Sequence, residues 1–288
     1  MSYKTMSLAV LYNGKMFANN AIINVGDLGF TGTASITDCT VNVDGVVAFG
    51  KNTWYKQTMT DTTMNVKGHN LMNENTYYST EGVILNNLTM TNSTINVNDG
   101  VDGTTTEKVT IKKLTMNGSK VITEGAVDVT DTLQIDSNSS LVADSLTFGS
   151  KGEIKLTILD GYEGGKIIDI TGATGLTEDI LSKITFNSTE YGAYIQDGDI
   201  FVAKNLTIDG GNAENTEIKE DLVGNQVTIE NSKNLSVTGS VKGVNVEIHN
   251  DDDAVLNGGS DNAAAKIKAD EKISFVLERI LPSSVKIP

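Results

Sequence analysis

Thr37-Asp38-Cys39-Thr40-Val41-Asn42-Val43 recurs as Thr60-Asp61-Thr62-Thr63-Met64-Asn65-Val66 and again as Thr91-Asn92-Ser93-Thr94-Ile95-Asn96-Val97. Each copy runs from a short polar turn into an apolar–Asn–apolar triplet, and a glycine follows within a few residues (Gly45, Gly68, Gly100). A second unit alternates in the same way at Leu88-Thr89-Met90, Leu114-Thr115-Met116, Leu133-Gln134-Ile135, Leu146-Thr147-Phe148 and Leu156-Thr157-Ile158. It returns at Leu206-Thr207-Ile208, Val227-Thr228-Ile229, Leu235-Ser236-Val237 and Val246-Glu247-Ile248. Period-two alternation places both apolar side chains on one face of a strand. So short a strand cannot bury that face alone, but many of them stacked in register can, each covering the next about 4.8 Å away. The expected fold is therefore all-β, a parallel β-helix. An antiparallel sandwich or barrel also uses short alternating strands, but two-residue hairpin turns are sparse here and the repeated Thr/Asn-rich turn favours coils.

Residues 30–160 and 204–275 carry this pattern, with 1–29 as a cap or lead-in and 276–288 as a tail. Residues 161–203 interrupt it. There the sequence predicts a short helix over Leu176–Lys183 capped by Thr177, with Glu178 and Asp179 favouring the dipole in its first turn. A hairpin follows, Tyr191–Ile195 and Asp199–Val202, joined by Gln196-Asp197-Gly198. This insertion reads as a buttress over an open edge, which solenoids need, or as a lid or binding platform.

Composition narrows the function. The 288 residues carry a net charge of −15, which repels phosphate backbones and anionic membranes, so nucleic-acid binding is not expected. With 39% apolar and 20% charged residues the chain is suited to burying a core. No run of about 18 apolar residues is present to span a bilayer. Only 2 prolines interrupt backbone pairing. The polar tools of catalysis are scarce: Arg279 is the one arginine, and His69 and His249 are the two histidines. Cys39, the single cysteine, rules out an intrachain disulfide, as in a reducing cytosol or in a protein exported unfolded. Met6–Leu11 is too short for the core of a signal peptide, and the sequence is expected to be a piece of a longer exported protein.

The stacked Leu-Thr-Met and Thr-Ile-Asn-Val units, the Asn-, Thr- and Gly-rich turns, the near-absence of Cys and the acidic balance resemble the secreted passenger domains of bacterial autotransporters. The likeness covers roughly residues 30–160 and 204–260 and extends to pertactin-like passengers and self-associating adhesins. It implies a right-handed parallel β-helix on the bacterial cell surface, anchored in the outer membrane through a part absent here. It further implies a non-enzymatic role in adhesion, biofilm formation or virulence. The partners it implies are other copies on neighbouring cells, or host glycan or protein.

Pectin-degrading enzymes on this fold would require an Arg base with Ca²⁺-binding carboxylates, or several Asp with His, on one face; Arg279 and the two histidines do not meet that requirement. Neither a Gly-Asp-Ser-Gly string nor a Gly-x-Ser-x-Gly elbow occurs. A polysaccharide-acting enzyme or phage tailspike is the alternative function, and a purely structural stalk the next. Trp54-Tyr55 and Tyr77-Tyr78, set between strand units, are the candidate ligand or interface aromatics, because flat rings stack on sugars and anchor interfaces. Asp251, Asp252 and Asp253 are a candidate Ca²⁺ cluster, read otherwise as a solvated acidic turn; no other cofactor is expected. Asn42, Asn65 and Asn96 either face solvent or form amide ladders between coils.

Overall fold

The computed structural model describes residues 5–6, 9–11, 15–50, 55–68, 82–98, 108–173, 175–211, 213, 215–219, 222–223, 226–232, 235–237, 241–242, 245–250, 254–258, 266–269 and 273–277. Two compact units divide the chain. One comprises Met1–Tyr162, Lys166–Asn187 and Asp197–Asp199, the other Glu163–Gly165, Ser188–Gln196 and Ile200–Pro288.

In the first unit two parallel sheets take strands alternately from successive repeats. One runs Thr5–Met6, Ile22–Val25, Thr40–Val43, Thr63–Val66, Thr94–Val97, Lys120–Thr123, Ser140–Ala143 and Gly165–Ile170. The other runs Ala9–Leu11, Leu28–Phe30, Val47–Phe49, Val83–Thr91, Val109–Asn117, Ala126–Asp136, Glu153–Thr157 and Ile184–Phe186, with Lys15–Asn19, Thr33–Thr37 and Gln57–Thr60 joining it at Val83–Thr91. Strand pairing thus reaches N-terminal of residue 30, and Gly165–Ile170 and Ile184–Phe186 carry the same sheets into the stretch expected to interrupt them.

Register converts the alternation into core. Val41, Met64, Ile95, Val121, Leu141 and Ile168 lie opposite one another in turn, and each is 1% exposed or less. Ile36, Met59, Met90, Met116, Ile135 and Leu156 form the matching column of the second sheet, none above 2% exposed. Burying one such side chain stabilises by about 1.5–3 kcal/mol, so the columns are the main source of stability. Phe30 and Phe49, also in register, stack with ring centroids 5.0 Å apart.

Three strands are longer than the triplets predict. Val83–Thr91, Val109–Asn117 and Ala126–Asp136 span 9, 9 and 11 residues, because each joins two triplets across an irregularity. The register shifts at Asn86 in the first pair and between Ile111 and Lys113 in the next. Such a bulge re-phases the alternation, so Leu85 and Leu88, three apart, both face inward.

The expected α-helix is a 3-10 helix, Glu178–Lys183; Thr177 stands at its N-cap without a side-chain cap bond, its hydroxyl donating instead to Asp179 Oδ1. Six residues are too few to hold an isolated α-helix together. Tyr191–Gln196 and Asp199–Lys204 are neighbouring strands joined by Asp197 and Gly198, whose φ angles are 54° and 88°, as a two-residue hairpin turn demands. Parallel strands then resume. Leu206–Asp209, Gln226–Ser232, Asn245–Asn250 and Lys266–Ala269 form one sheet, and Thr216–Ile218, Leu235–Val237, Ala254–Gly258 and Ile273–Leu277 another.

Candidate functional site

Outward positions of the first sheet form a face of two columns. Ile22, Thr40, Thr63 and Thr94 make one, and Asn24, Asn42, Asn65 and Asn96 the other. Asn42 Nδ2 donates to Asn24 Oδ1 at 2.8 Å, Asn65 to Asn42 at 2.9 Å and Asn96 to Asn65 at 3.0 Å. The two readings of these asparagines hold together: they lie half-buried on the outward face and form the amide ladder there. It has a direction, because each amide donates toward the N-terminal neighbour, and it stops where Ile122 lies opposite Asn96. Asn24 extends it by a rung that the repeated heptapeptide did not reveal, although Ile23-Asn24-Val25 is the same apolar–Asn–apolar triplet.

A corner beside this face holds it in register. Asp38, Asp61 and Asn92 have φ of 50°, 47° and 48°, and Gly118 has 57°, the left-handed conformation that Asn, Asp and Gly tolerate best. The next residue is Cys39, Thr62, Ser93 or Ser119, and all are buried. Their amides climb a second ladder: Cys39 N–H donates to Thr62 Oγ1, Thr62 N–H to Ser93 Oγ, Ser93 N–H to Ser119 Oγ and Ser119 N–H to Ser139 Oγ. The Thr62, Ser93 and Ser119 hydroxyls donate in turn to the carbonyls of Thr60, Thr91 and Asn117. Cys39 follows the rule with sulfur, its thiol 3.0 Å from the Thr37 carbonyl. At the next corner one residue is inserted, and the Asp136 carboxylate accepts from Gly118 N–H at 3.0 Å and from the Ser139 hydroxyl at 2.6 Å. Sequence reading missed this ladder; its only signal was a hydroxyl or thiol at the third position of each heptapeptide.

The face is free of charge over its four rungs, and its borders are not. Asp38 and Asp61 are exposed at the corner, Lys67 and Asp44 pair at 2.8 Å beyond the other side, and Lys120 follows Thr94 in its column. On the second sheet Ser35, Thr58, Thr89 and Thr115 lie in one outward column and Thr37, Thr60, Thr91 and Asn117 in the next. Phe17, opposite Ser35, is 72% exposed.

Of the predicted aromatics, Tyr55 is described: its side chain is exposed and its carbonyl accepts from the Asn87 side chain. Trp54, Tyr77, Tyr78, and Asp251, Asp252 and Asp253 lie outside the described residues. Among the described residues no group of three or more metal-ligating side chains comes together. Asp197 and Gly198 form the turn, and Asp199, which opens the strand after it, is buried and accepts from Lys166 Nζ at 3.0 Å and from the Ile170 N–H at 2.7 Å. The Asp199 carboxylate, and then Asp169, raise the Lys166 pKa above its ordinary value. No family model, curated protein or solved structure matches the chain.

Proposed function

We propose that the chain is a stretch of right-handed parallel β-helix of the autotransporter-passenger kind, displayed outside a bacterial cell, and that it works as a non-enzymatic adhesin. Right-handed winding is what parallel crossover connections almost always take. The observation that carries the functional reading is the uncharged face Ile22/Asn24, Thr40/Asn42, Thr63/Asn65 and Thr94/Asn96 on a chain of net charge −15. Each exposed amide or hydroxyl contributes about 1 kcal/mol or less to a contact. Repetition along a stiff ladder multiplies such contacts, which is how weak groups hold a neighbouring cell or a host glycan or protein surface.

This reading is preferred to polysaccharide cleavage because the face that carries it is built of Ile, Thr and Asn side chains and holds no ionisable group to act as acid or base. The test is to display the chain on cells lacking other adhesins and to score clumping and binding to host surfaces over a range of ionic strength. Adhesion that grows as salt screens Asp38 and Asp61 is expected. Cells that neither clump nor bind at any salt overturn the reading.

A further inference from the structure

We infer that the outward face of the second sheet binds the surface of ice. Its two columns run in unbroken register from Ser35/Thr37, through Thr58/Thr60 and Thr89/Thr91, to Thr115/Asn117. Parallel pairing sets these rungs about 4.8 Å apart, and alternate residues of one strand stand about 6.6 Å apart. The face is thus a grid of seven hydroxyls and one carboxamide, every one both donor and acceptor. Oxygen atoms on a prism face of hexagonal ice repeat in two perpendicular directions at close to these two spacings. Liquid water has no fixed grid, so a surface with this repeat tells the solid from the liquid.

The array is stiff. Branching at Cβ leaves threonine few χ1 rotamers in a strand, so its hydroxyl and methyl are held out at little further entropic cost. The corner ladder ties down one whole column: the Thr62, Ser93 and Ser119 hydroxyls donate to the carbonyls of Thr60, Thr91 and Asn117 at 2.8, 2.8 and 3.0 Å. Preorganised groups repeated on a lattice add weak contacts into a strong one. Charge is kept off the grid as well, although the chain carries −15. A charged side chain holds its own hydration water, which an ice lattice cannot accommodate. Asp38 and Asp61 come only at the corner, after Thr37 and Thr60, and Lys155 stands a rung beyond Gln134. The first sheet offers no equivalent, because its asparagine amides bind one another along the column and Ile22 heads the other.

The experiment is partition of the full chain into ice grown slowly from dilute solution, with the shape of single ice crystals held in that solution just below melting. The chain is expected to enter the ice and to facet the crystals, where an ordinary acidic protein stays in the liquid. Thr58→Lys/Thr89→Lys, at mid-array, is expected to lower uptake about tenfold or more. Thr58→Ala/Thr89→Ala adds neither bulk nor charge and is expected to lower it in the same direction, so a misfolded Lys variant does not decide the outcome. Thr40→Lys/Thr63→Lys, on the first sheet, is expected to enter ice as wild type does. A wild-type chain rejected by the ice, full uptake of the folded Thr58/Thr89 variants, or an equal loss in the Thr40/Thr63 variant would each overturn the inference. Cell adhesion plays no part in this assay, so a negative result leaves the adhesin reading untouched.

Discussion

The side-chain amide of Asn65 donates to Asn42 Oδ1 across 23 residues at 2.9 Å, and the same bond recurs above and below it. Because each amide donates toward the N-terminal neighbour, the ladder is polar, and its rungs respond unequally to one substitution. Asn24 only accepts within the ladder, so Asn24→Asp keeps its bond. Asn65→Asp replaces a donor with a carboxylate oxygen facing Asn42 Oδ1, costing about 1–3 kcal/mol. Urea denaturation is expected to show Asn24→Asp near wild type and Asn65→Asp clearly destabilised. Equal losses would mean that the ladder has no such direction.

The corner ladder predicts a different hierarchy. Ser119→Ala strips the Ser93 N–H of its acceptor in a buried setting, an expected loss of about 1–3 kcal/mol. Cys39→Ser puts the common hydroxyl where a thiol now donates to the Thr37 carbonyl and is expected to remain within about 1 kcal/mol of wild type. Thermal melts of the two variants provide the comparison.

Gly45 lies against a buried carboxylate. A Cβ there would sit 1.7 Å from Asp27 Oδ1, the atom that accepts the Val46 N–H at 2.9 Å. Gly45→Ala must push Asp27 off that bond, and a loss of about 2 kcal/mol or more is expected by chemical denaturation.

Lys166 bridges Asp199 and Asp169 at 3.0 and 3.1 Å, and its pKa is raised by Asp199 first and Asp169 next. A cation with a raised folded-state pKa contributes fully below its unfolded value, about 10.4, and that contribution fades as pH rises through the folded value. Wild type is therefore expected to exceed Lys166→Met in stability by a constant margin from neutral pH to about 10, and by less above. Burial also raises the Tyr194 pKa, which loosens the fold in the same alkaline window, so both chains should carry Tyr194→Phe. A margin that widens at high pH would contradict the linkage.

The inward columns were legible because alternation needs only neighbouring residues to be read. Leu88/Met90, Leu114/Met116 and Leu133/Ile135 face inward as their spacing requires. The joined strands were not, since the re-phasing at Asn86 and Lys113 breaks the period just where two triplets meet. Asn24 escaped because Asn19-Asn20-Ala21 precedes it in place of a Thr-rich turn. The Thr62, Ser93 and Ser119 ladder was hidden for a stronger reason. Its bonds join residues 31, 26 and 20 apart, and in a turn taken alone a hydroxyl usually binds water or its own backbone.

Parallel stacking in register is tested most directly by NMR contacts between rungs in the labelled chain. Backbone and side-chain amide contacts linking Asn42 to Asn65 and Asn65 to Asn96, with Met64 between Val41 and Ile95 in the same sense of chain direction, are predicted. Contacts showing these strands running in opposite directions, or Asn65 opposite a residue other than Asn42 and Asn96, would contradict the stacked arrangement and with it the face on which the proposed adhesion rests.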